Sequence, residues 1–220
     1  MRKASALLAL VAAAVAIGTT GAAGAGGDGF SARITNPWFP LAPGSVYVYR
    51  GIRDGRPTRE VLRVTARTKT IAGAPCAVVR DDLYVAGHIR ERTTDWYTQD
   101  ARGNVWYYGE GTAELDAQGR VTSRSGSWQA GRDGALPGIF MPARPKAGQS
   151  FRQEYYKGEA EDHFRVVALL GDEVLLTEEW TPLEPGVLDH KTYVRGVGTV
   201  LERTVRGGDE VNELVALRRS

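Results

Sequence analysis

Cysteine is nearly absent from this chain of 220 residues, which contains only Cys76. One cysteine cannot form an intramolecular disulfide, so a disulfide-stapled fold is excluded and stability must come from a hydrophobic core. Cys76 lies in the apolar run at residues 75–79, which predicts a small buried side chain rather than a reactive thiol.

Motifs of familiar enzymes are also lacking. The chain has no GxSxG, no P-loop and no GxGxxG following a predicted strand, and its serines have no nearby histidine partner. The three histidines, His88, His163 and His190, are scattered and form no HExxH or comparable ligand pattern. The sequence therefore predicts no catalytic residue, no metal site and no cofactor.

Apolar runs long enough to cross a bilayer as a helix are missing as well. Arg2 and Lys3 precede an uncharged, apolar stretch at residues 4–18, and Ala23-Gly24-Ala25 then offers the small-x-small pattern of a cleavage site. This order is typical of a signal peptide. We expect residues 1–25 to be removed, leaving a secreted or periplasmic chain of residues 26–220 without a stable membrane span. The alternative is an anchor that stays attached.

Net charge is absent once the signal is removed. The chain has 28 Lys and Arg against 26 Asp and Glu. Because Arg2 and Lys3 are the only charged residues among the first 25, the remainder carries 26 of each sign. A protein that binds nucleic acid needs a clustered cationic excess, so no nucleic-acid partner is predicted.

Apolar residues do not recur with the helical period of 3.6 residues; instead, apolar and polar residues alternate with period 2. Short β-rich runs such as residues 46–49 and 105–108 are separated by turn pairs such as Asp54-Gly55 and Ala86-Gly87. Connections this short imply hairpins. We predict an all-β antiparallel meander of eleven to thirteen strands that closes into a barrel, a half-barrel or a two-sheet sandwich.

Two features break the regular pattern. Residues 126–145 are rich in proline and glycine, which predicts a long ordered loop without a central strand, its Ile-Phe-Met at 139–141 packed onto the core. Residues 42–110 and 147–206 on either side are similar in order, so the single domain is predicted to contain two pseudo-repeated halves. The alternative is that all β meanders look alike at this level.

A ligand-binding surface is predicted at the hairpin of residues 95–110, where aromatic and acidic residues are dense. Aromatic rings stack on sugars and attract cations, and carboxylates accept hydrogen bonds. The alternative is that these aromatic residues fill a core. The predicted ligand-binding residues are Asp95, Trp96, Tyr97, Trp106, Tyr108, Glu110 and Trp128.

Acidic pairs recur at Asp81-Asp82, Glu161-Asp162 and Glu178-Glu179. Adjacent residues of a strand point to opposite faces, so none of these three pairs is predicted to be a ready-made catalytic dyad. A secreted hydrolase that cleaves glycans would instead need two carboxyl groups facing each other across a cleft.

Several long segments resemble a widespread group of uncharacterised secreted bacterial proteins. The likeness is carried by Asp95-Trp-Tyr-Thr-Gln-Asp100 and Gly103-Asn-Val-Trp-Tyr-Tyr-Gly-Glu110, a motif of the type DWYxQDxxGNVWYxGE, and by residues 36–41 and 179–186. It implies export and no particular activity. Some members resemble lipoproteins, but this chain lacks a cysteine at the predicted cleavage point.

The functional prediction is an exported, non-catalytic cell-envelope or extracellular β protein that binds a small ligand or an envelope component. One alternative is a glycan hydrolase that acts through paired carboxylates. Another is a purely structural or protein-interaction module. The sequence leaves the identity of the ligand, the partners, the oligomeric state and the binding of calcium or another metal open.

Overall fold

Residues 29–219 are described by a computed structural model, and strands are the regular secondary structure of that range. The predicted signal peptide at residues 1–25 lies outside the described residues. Within residues 29–219, no helix is long and apolar enough to cross a membrane.

Seventeen strands are found in the described range, more than expected because six of them are only two or three residues long. They are β1 (Phe30–Ser31), β2 (Val46–Arg53), β3 (Arg56–Ile71), β4 (Ala74–Val85), β5 (His88–Asp100), β6 (Val105–Glu110), β7 (Ala113–Leu115), β8 (Val121–Ser123), β9 (Trp128–Gln129), β10 (Leu136–Met141), β11 (Ser150–Arg152), β12 (Glu154–Tyr155), β13 (His163–Leu170), β14 (Val174–Trp180), β15 (Leu188–Val194), β16 (Gly198–Arg206) and β17 (Val211–Arg218).

Antiparallel ladders join these strands into one nearly closed barrel. Strands β2 to β6 pair in order, as do β13 to β17, and β17 pairs with β2. Strand β6 then pairs with β10, β10 with β12, and β11 with β13. The predicted all-β antiparallel meander is confirmed, and a nearly closed barrel is the closure adopted. The duplication of residues 42–110 and 147–206 stays a prediction.

Three successive two-residue turns set the register of the first strands. Asp54-Gly55, Ala72-Gly73 and Ala86-Gly87 all have positive φ at both positions. Two residues with positive φ form the type I′ turn, whose twist matches that of the flanking strands. The pairs Arg53–Arg56 and Val85–His88 close directly around these turns. The hairpins predicted from these dipeptides are confirmed.

The prediction of a loop without strands at residues 126–145 is wrong in one respect, because β9 and β10 lie within this segment. Strand β10 pairs with β6 on one side and β12 on the other. Pro137 is tolerated because it is the second residue of β10, and the β6 ladder begins only at Gly138. The predicted packing onto the core is confirmed for two of the three residues at 139–141: Met141 is fully buried and Phe140 packs against the core.

A segment at residues 34–41 covers one end of the barrel, and we call it the cap segment. Its Asn36 donates to the carbonyls of Gly103 (2.9 Å) and Pro142 (3.1 Å), at the β5–β6 turn and the end of β10. Gly196, in the β15–β16 turn, donates to the carbonyl of Pro37. The cap segment therefore ties together three loops at the same end of the barrel and turns Phe39 inward.

Candidate functional site

The inner face of the barrel carries an unusual number of acids. Residues directly opposite each other on paired strands share a face, and successive residues alternate. Val79 is fully buried and pairs with Asp95, which in turn pairs with Glu110. We name the inward acids of the described strands the inner carboxyl cluster: Glu60, Asp81, Glu91, Asp95, Glu110, Glu154, Glu179 and Glu202.

Two acidic pairs divide between the inside and the outside, as alternation predicted. Asp82 is bonded on the outer face by Arg63 at 2.8 Å, whereas its neighbour Asp81 faces the interior. Glu178 likewise pairs with Arg165 outside, and Glu179 pairs inside with Lys191. Each strand therefore delivers one carboxyl group to the inner cluster and one to a surface ion pair.

Lys191 is the cation at the centre of one part of the cluster. Its Nζ lies 2.8 Å from Glu179 Oε2 and 3.3 Å from Glu202 Oε1. Tyr193 and Thr177 also donate to Glu179, at 3.1 and 3.3 Å. Burial opposes the charge of Lys191, but the attraction of the two carboxylates outweighs it and holds the pKa of Lys191 well above its usual value. Lys191 therefore stays a bound ammonium.

Asp95 and Glu110 form a second part of the cluster on β5 and β6. The hydroxyl of Tyr107 donates to Asp95 Oδ1 at 2.7 Å, and Thr112 donates to Glu110 Oε2 at 3.1 Å. Burial raises the pKa of Asp95 to about 7, against the opposing effect of the Tyr107 hydrogen bond. Burial and the charge of Asp95 raise the pKa of Glu110 to about 8. Near neutral pH, Glu110 thus largely retains its proton and Asp95 is about half protonated.

Glu154 of β12 lies beside this pair and is held by Trp128 of β9. The indole Nε1 of Trp128 donates to Glu154 Oε2 at 2.6 Å. Burial, followed by the charges of Asp162 and Glu110, raises the pKa of Glu154 to about 9. Trp128 therefore acts as a hydrogen-bond donor to a buried acid as well as a core aromatic residue.

Asp81, Glu60 and Asn212 form the third part of the cluster, on β4, β3 and β17. Asn212 donates through Nδ2 to Glu60 Oε2. Burial and the neighbouring charge of Glu60 hold the pKa of Asp81 well above its usual value. Asp81 Oδ1 and Asn212 Oδ1 are buried and accept no hydrogen bond from the described residues. Two buried polar atoms, one on β4 and one on β17, are therefore without a hydrogen-bond partner among the described residues.

A cavity of about 190 Å³ lies between the cap segment and this third part of the cluster. Its apolar wall includes Phe39 of the cap segment and Phe140 of β10, whose rings are 4.6 Å apart. Its polar wall is formed by Glu60, Asp81, Lys191, Glu202 and Asn212. In residues 29–219, no group of three or more His, Cys, Asp or Glu side chains is arranged to hold a metal ion.

Four of the seven sequence-predicted ligand-binding residues face the interior. Asp95 and Glu110 belong to the inner carboxyl cluster, and Trp128 bonds to Glu154. Tyr97 stacks on Tyr107 at a ring distance of 4.8 Å and lines the cavity. The structure therefore brings these four residues to the same interior, with Tyr97 alone at the cavity wall.

The other three predicted residues lie on the outer face of the same strands. Lys69 Nζ lies 3.3 Å from the ring centroid of Trp96, a cation–π contact. The indole of Trp106 donates to Asp100 Oδ2 at 2.9 Å. Tyr108 packs against Phe30 at a ring distance of 5.8 Å. These three residues do not share a surface with the interior four.

Sequence reasoning missed most of the cavity wall. The signal for it was an acid or a lysine at an alternating position that otherwise carries apolar residues. Asp81 follows Val79 and precedes Leu83 on the inward face of β4, and Lys191 precedes Tyr193 on β15. Asn212 gave no such signal, because its inward position depends on the distant ladder between β17 and β2.

Neither the family models nor the curated proteins compared with this chain match it. Two solved structures do. One is a Bacteroides fragilis protein described as exported, with a YmcC-like fold, at 14% identity and a TM-score of 0.46, covering 83% of this chain and 99% of that one. The other is described as a lipoprotein of Parabacteroides distasonis, at 11% identity and a TM-score of 0.39, with the same coverage of 83% and 99%. Likenesses this distant assign neither activity nor compartment.

Proposed function

We propose that this chain is an exported, non-catalytic binding protein that takes up a small ligand in the cavity behind the cap segment. The observation that carries the proposal is the composition of the cavity wall, in which aromatic rings face a set of polar side chains. Ligand sites are typically concave and largely apolar, with a few placed polar groups that fix orientation. Binding in the interior also agrees with the absence of any predicted nucleophile.

Export rests on the order of charge, apolar run and small residues in the first 25 positions. The test is expression with the complete N-terminus, followed by fractionation and N-terminal sequencing of the product. We expect a chain that begins at Gly26 in the periplasm or medium. A cell-associated product that still begins at Met1 would contradict cleavage and favour an anchored form.

The binding proposal is tested by thermal shift against sugars, lipids, peptidoglycan fragments, haem, amines and divalent metals with EDTA controls. A ligand that binds only the folded state, present at a concentration of 100 times its Kd, adds about 2.7 kcal/mol to the free energy of unfolding. The ligand class that raises the melting temperature of the wild type should not raise that of Thr199→Phe, because Thr199 lines the cavity and a phenyl ring would fill it.

The matched control is Thr192→Phe, because Thr192 lies on the other face of β15, opposite Leu176 and Leu201. It should keep the full thermal shift. A shift that survives Thr199→Phe, or that both variants lose equally, would contradict binding in this cavity. A panel without any active class would leave a structural or protein-interaction role, to be sought by envelope pull-downs.

A second candidate is a glycan hydrolase, which the pairing of Asp95 with Glu110 favours. The two carboxyl groups occupy opposed positions on β5 and β6. Retaining glycosidases use acids about 5 Å apart, one of them with a raised pKa. This candidate ranks second because neither acid lines the described cavity. It predicts release of sugar from a glycan panel, abolished by Glu110→Gln and by Asp95→Asn.

A further inference from the structure

The inner carboxyl cluster changes the charge that the outer surface carries. The cluster holds eight of the 26 acids of residues 26–220, and Lys191 is the one described cation that forms an ion pair with it. The rest of residues 26–220 therefore has 18 acids against 25 of the 26 cations. This part of the chain is neutral in sum, but the outer surface and the ends of the barrel carry an excess of seven positive charges.

Part of this excess is concentrated where two arginines face each other across the ladder of β2 and β3. Arg50 pairs directly with Arg59, and both side chains are exposed on the outer face, because their neighbours Tyr49 and Glu60 face the interior. Like charges directly opposite each other destabilise a sheet. Glu213, opposite Arg50 on β17, is exposed and forms no ion pair with it among the described residues.

Elsewhere on the same face an acid compensates the arginines. Arg63 of β3 pairs directly with Arg80 of β4. Asp82 lies beside this pair and binds Arg63 at 2.8 Å and Arg92 at 3.7 Å. No acid of residues 29–219 serves Arg50 and Arg59 in this way, so their two charges are not neutralised by the barrel itself.

The two arginines border a groove on the outer face, which we call the arginine groove. It has a volume of about 470 Å³ and is lined by Arg50, Pro57, Thr58, Arg59, Tyr84 and Gly87. The guanidinium carbon of Arg59 lies 5.5 Å from the ring centroid of Tyr84, a cation–π contact that orients this side chain. None of the lining residues is acidic, so both guanidinium groups are available to an anion.

The number of unneutralised charges selects among anions. The guanidinium fork matches the oxygens of carboxylates and of phosphates. A phosphomonoester carries about 1.5 to 2 negative charges at pH 7 and three strong acceptor oxygens, whereas a carboxylate or a phosphodiester carries a single charge. A phosphomonoester can therefore accept hydrogen bonds from both arginines and neutralise both.

We propose that the arginine groove binds a phosphomonoester group between Arg50 and Arg59. Tyr84 holds the fork of Arg59, and Arg50 closes on the group from β2. The site lies on the outer face of the barrel, apart from the cavity behind the cap segment, and it does not depend on the proposed function of that cavity.

The first test is calorimetric titration of the purified protein with monomethyl phosphate, dimethyl phosphate and acetate at pH 7.5. We expect monomethyl phosphate to bind roughly tenfold more tightly than the other two, because only it carries two charges. Its affinity should fall at pH 5, where it loses the second charge, whereas that of dimethyl phosphate should not change. Equal affinity of dimethyl phosphate or acetate, or a monomethyl phosphate affinity that does not depend on pH, would overturn the assignment.

Variants locate the anion. Arg50→Gln and Arg59→Gln should each weaken the binding of monomethyl phosphate by roughly tenfold, and Arg59→Lys, which keeps the charge without the fork, by less. Arg144→Gln is the matched control, because it changes the net charge equally at an exposed position at the cap-segment end of the barrel. It should leave the affinity unchanged. Equal weakening in all three glutamine variants would show attraction by net charge alone and overturn the site.

Circular dichroism and melting curves show whether each variant folds. If Arg59→Gln does not fold, Arg50→Gln and Arg59→Lys decide. Thr199→Phe, which fills the cavity, should bind monomethyl phosphate as the wild type does. Loss of phosphate binding in Thr199→Phe would place the anion in the cavity and overturn the outer site.

A soluble phosphorylated molecule and a phosphorylated lipid present the same group. Cosedimentation with phosphatidylcholine vesicles, with and without phosphatidic acid, distinguishes the two sources. Sedimentation that requires phosphatidic acid and is lost in Arg59→Gln supports the proposal with a lipid as the source. Binding of monomethyl phosphate without sedimentation supports it with a soluble source. If neither monomethyl phosphate nor the phosphatidic acid vesicles bind, the proposal is wrong.

Discussion

Tyr107 of β6 donates its phenolic proton to Asp95 Oδ1 of β5 at 2.7 Å, inside the barrel. The bond crosses a ladder in which Tyr107 itself pairs with Tyr97 and not with Asp95. It provides a buried acid with a hydrogen-bond donor at a place where water is largely excluded. Asp95 therefore depends on one aromatic side chain for its accommodation in the core.

Replacing Tyr107 with Phe should destabilise the protein by about 1–3 kcal/mol, because a buried acceptor loses its donor. Urea denaturation monitored by tryptophan fluorescence measures the free energy of unfolding. Tyr108→Phe is the matched control, because Tyr108 packs outward against Phe30 through a ring that Phe retains. Its effect should stay below about 0.5 kcal/mol, because the ring packing is kept and the Tyr108 hydroxyl forms no hydrogen bond with the described residues. Equal effects of the two variants would contradict the role given to the Tyr107 hydroxyl.

The cap segment depends on Asn36, which is 2% exposed and forms three side-chain hydrogen bonds. Asn36→Ala should cost about 2–4 kcal/mol, because buried carbonyl groups of two loops lose their donor. Thr35→Ala is the control: Thr35 is exposed, and the Gln99 amide that bonds its hydroxyl still bonds two backbone N–H groups. Melting temperatures of both variants measure the difference. An unchanged melting temperature for Asn36→Ala would show that the cap segment does not contribute to stability.

The strands and hairpins were predictable because their causes are local. Alternation and turn dipeptides such as Asp54-Gly55 act within a few residues of sequence, and these predictions were confirmed. The closure of the barrel was not predictable, because it depends on the ladders of β17 with β2 and of β10 with β12. Strands β17 and β2 are distant in sequence, β10 and β12 are separated by β11, and no short pattern specifies either pairing.

The candidate site was half predictable, and a bulge explains part of the rest. On β5, the alternation of faces correctly places Asp95 and Tyr97 inside and Trp96 outside. On β6, alternation gives the wrong face for one residue, because Tyr107 and Glu110 both face inward although they are three residues apart. Gly109 lies between them with a φ of 133°, a conformation that favours glycine, and the register shifts there. A local irregularity of this kind cannot be derived from period 2.

Gly138 allows β10 to approach the segment that joins β11 to β12. A Cβ atom at this position would lie 2.2 Å from the carbonyl oxygen of Arg152 and 2.5 Å from that of Gln153. Both neighbours are backbone atoms, so neither can move without disturbing the closure of the barrel. Gly138→Ala should therefore destabilise the protein by about 3 kcal/mol or prevent folding, by overpacking of a well-packed site.

The control for this substitution is Gly186→Ala. Gly186 has ordinary φ, and a Cβ there would meet no atom within 4 Å. We expect a change within about 0.5 kcal/mol for this control. Circular dichroism and urea denaturation compare the two variants. If Gly138→Ala were as stable as the wild type, the close approach of the two backbones would not be required for closure.

The inner carboxyl cluster should make stability fall as pH rises. Burial raises the pKa of Asp95 and of Glu202 to about 7, that of Glu110 to about 8 and that of Glu154 to about 9. A carboxyl group whose pKa is higher in the folded state binds its proton more tightly there. Its contribution is complete below the unfolded pKa and is lost as pH rises through the folded value. The free energy of unfolding should thus decrease between pH 5 and pH 9.

Glu110→Gln tests which acids cause this decrease. Glutamine keeps the shape of the protonated acid and cannot ionise. At 1.36 kcal/mol per pKa unit, Glu110 should account for on the order of 4 kcal/mol of the decrease, because its pKa moves from 4.5 to about 8. Urea denaturation at pH 5, 7 and 9 should therefore give a flatter profile for Glu110→Gln than for the wild type. Glu213→Gln, exposed on the neighbouring face of β17, should leave the profile unchanged. A wild type that gains stability up to pH 9 would show that the buried acids ionise freely, and that their protons do not support the folded barrel.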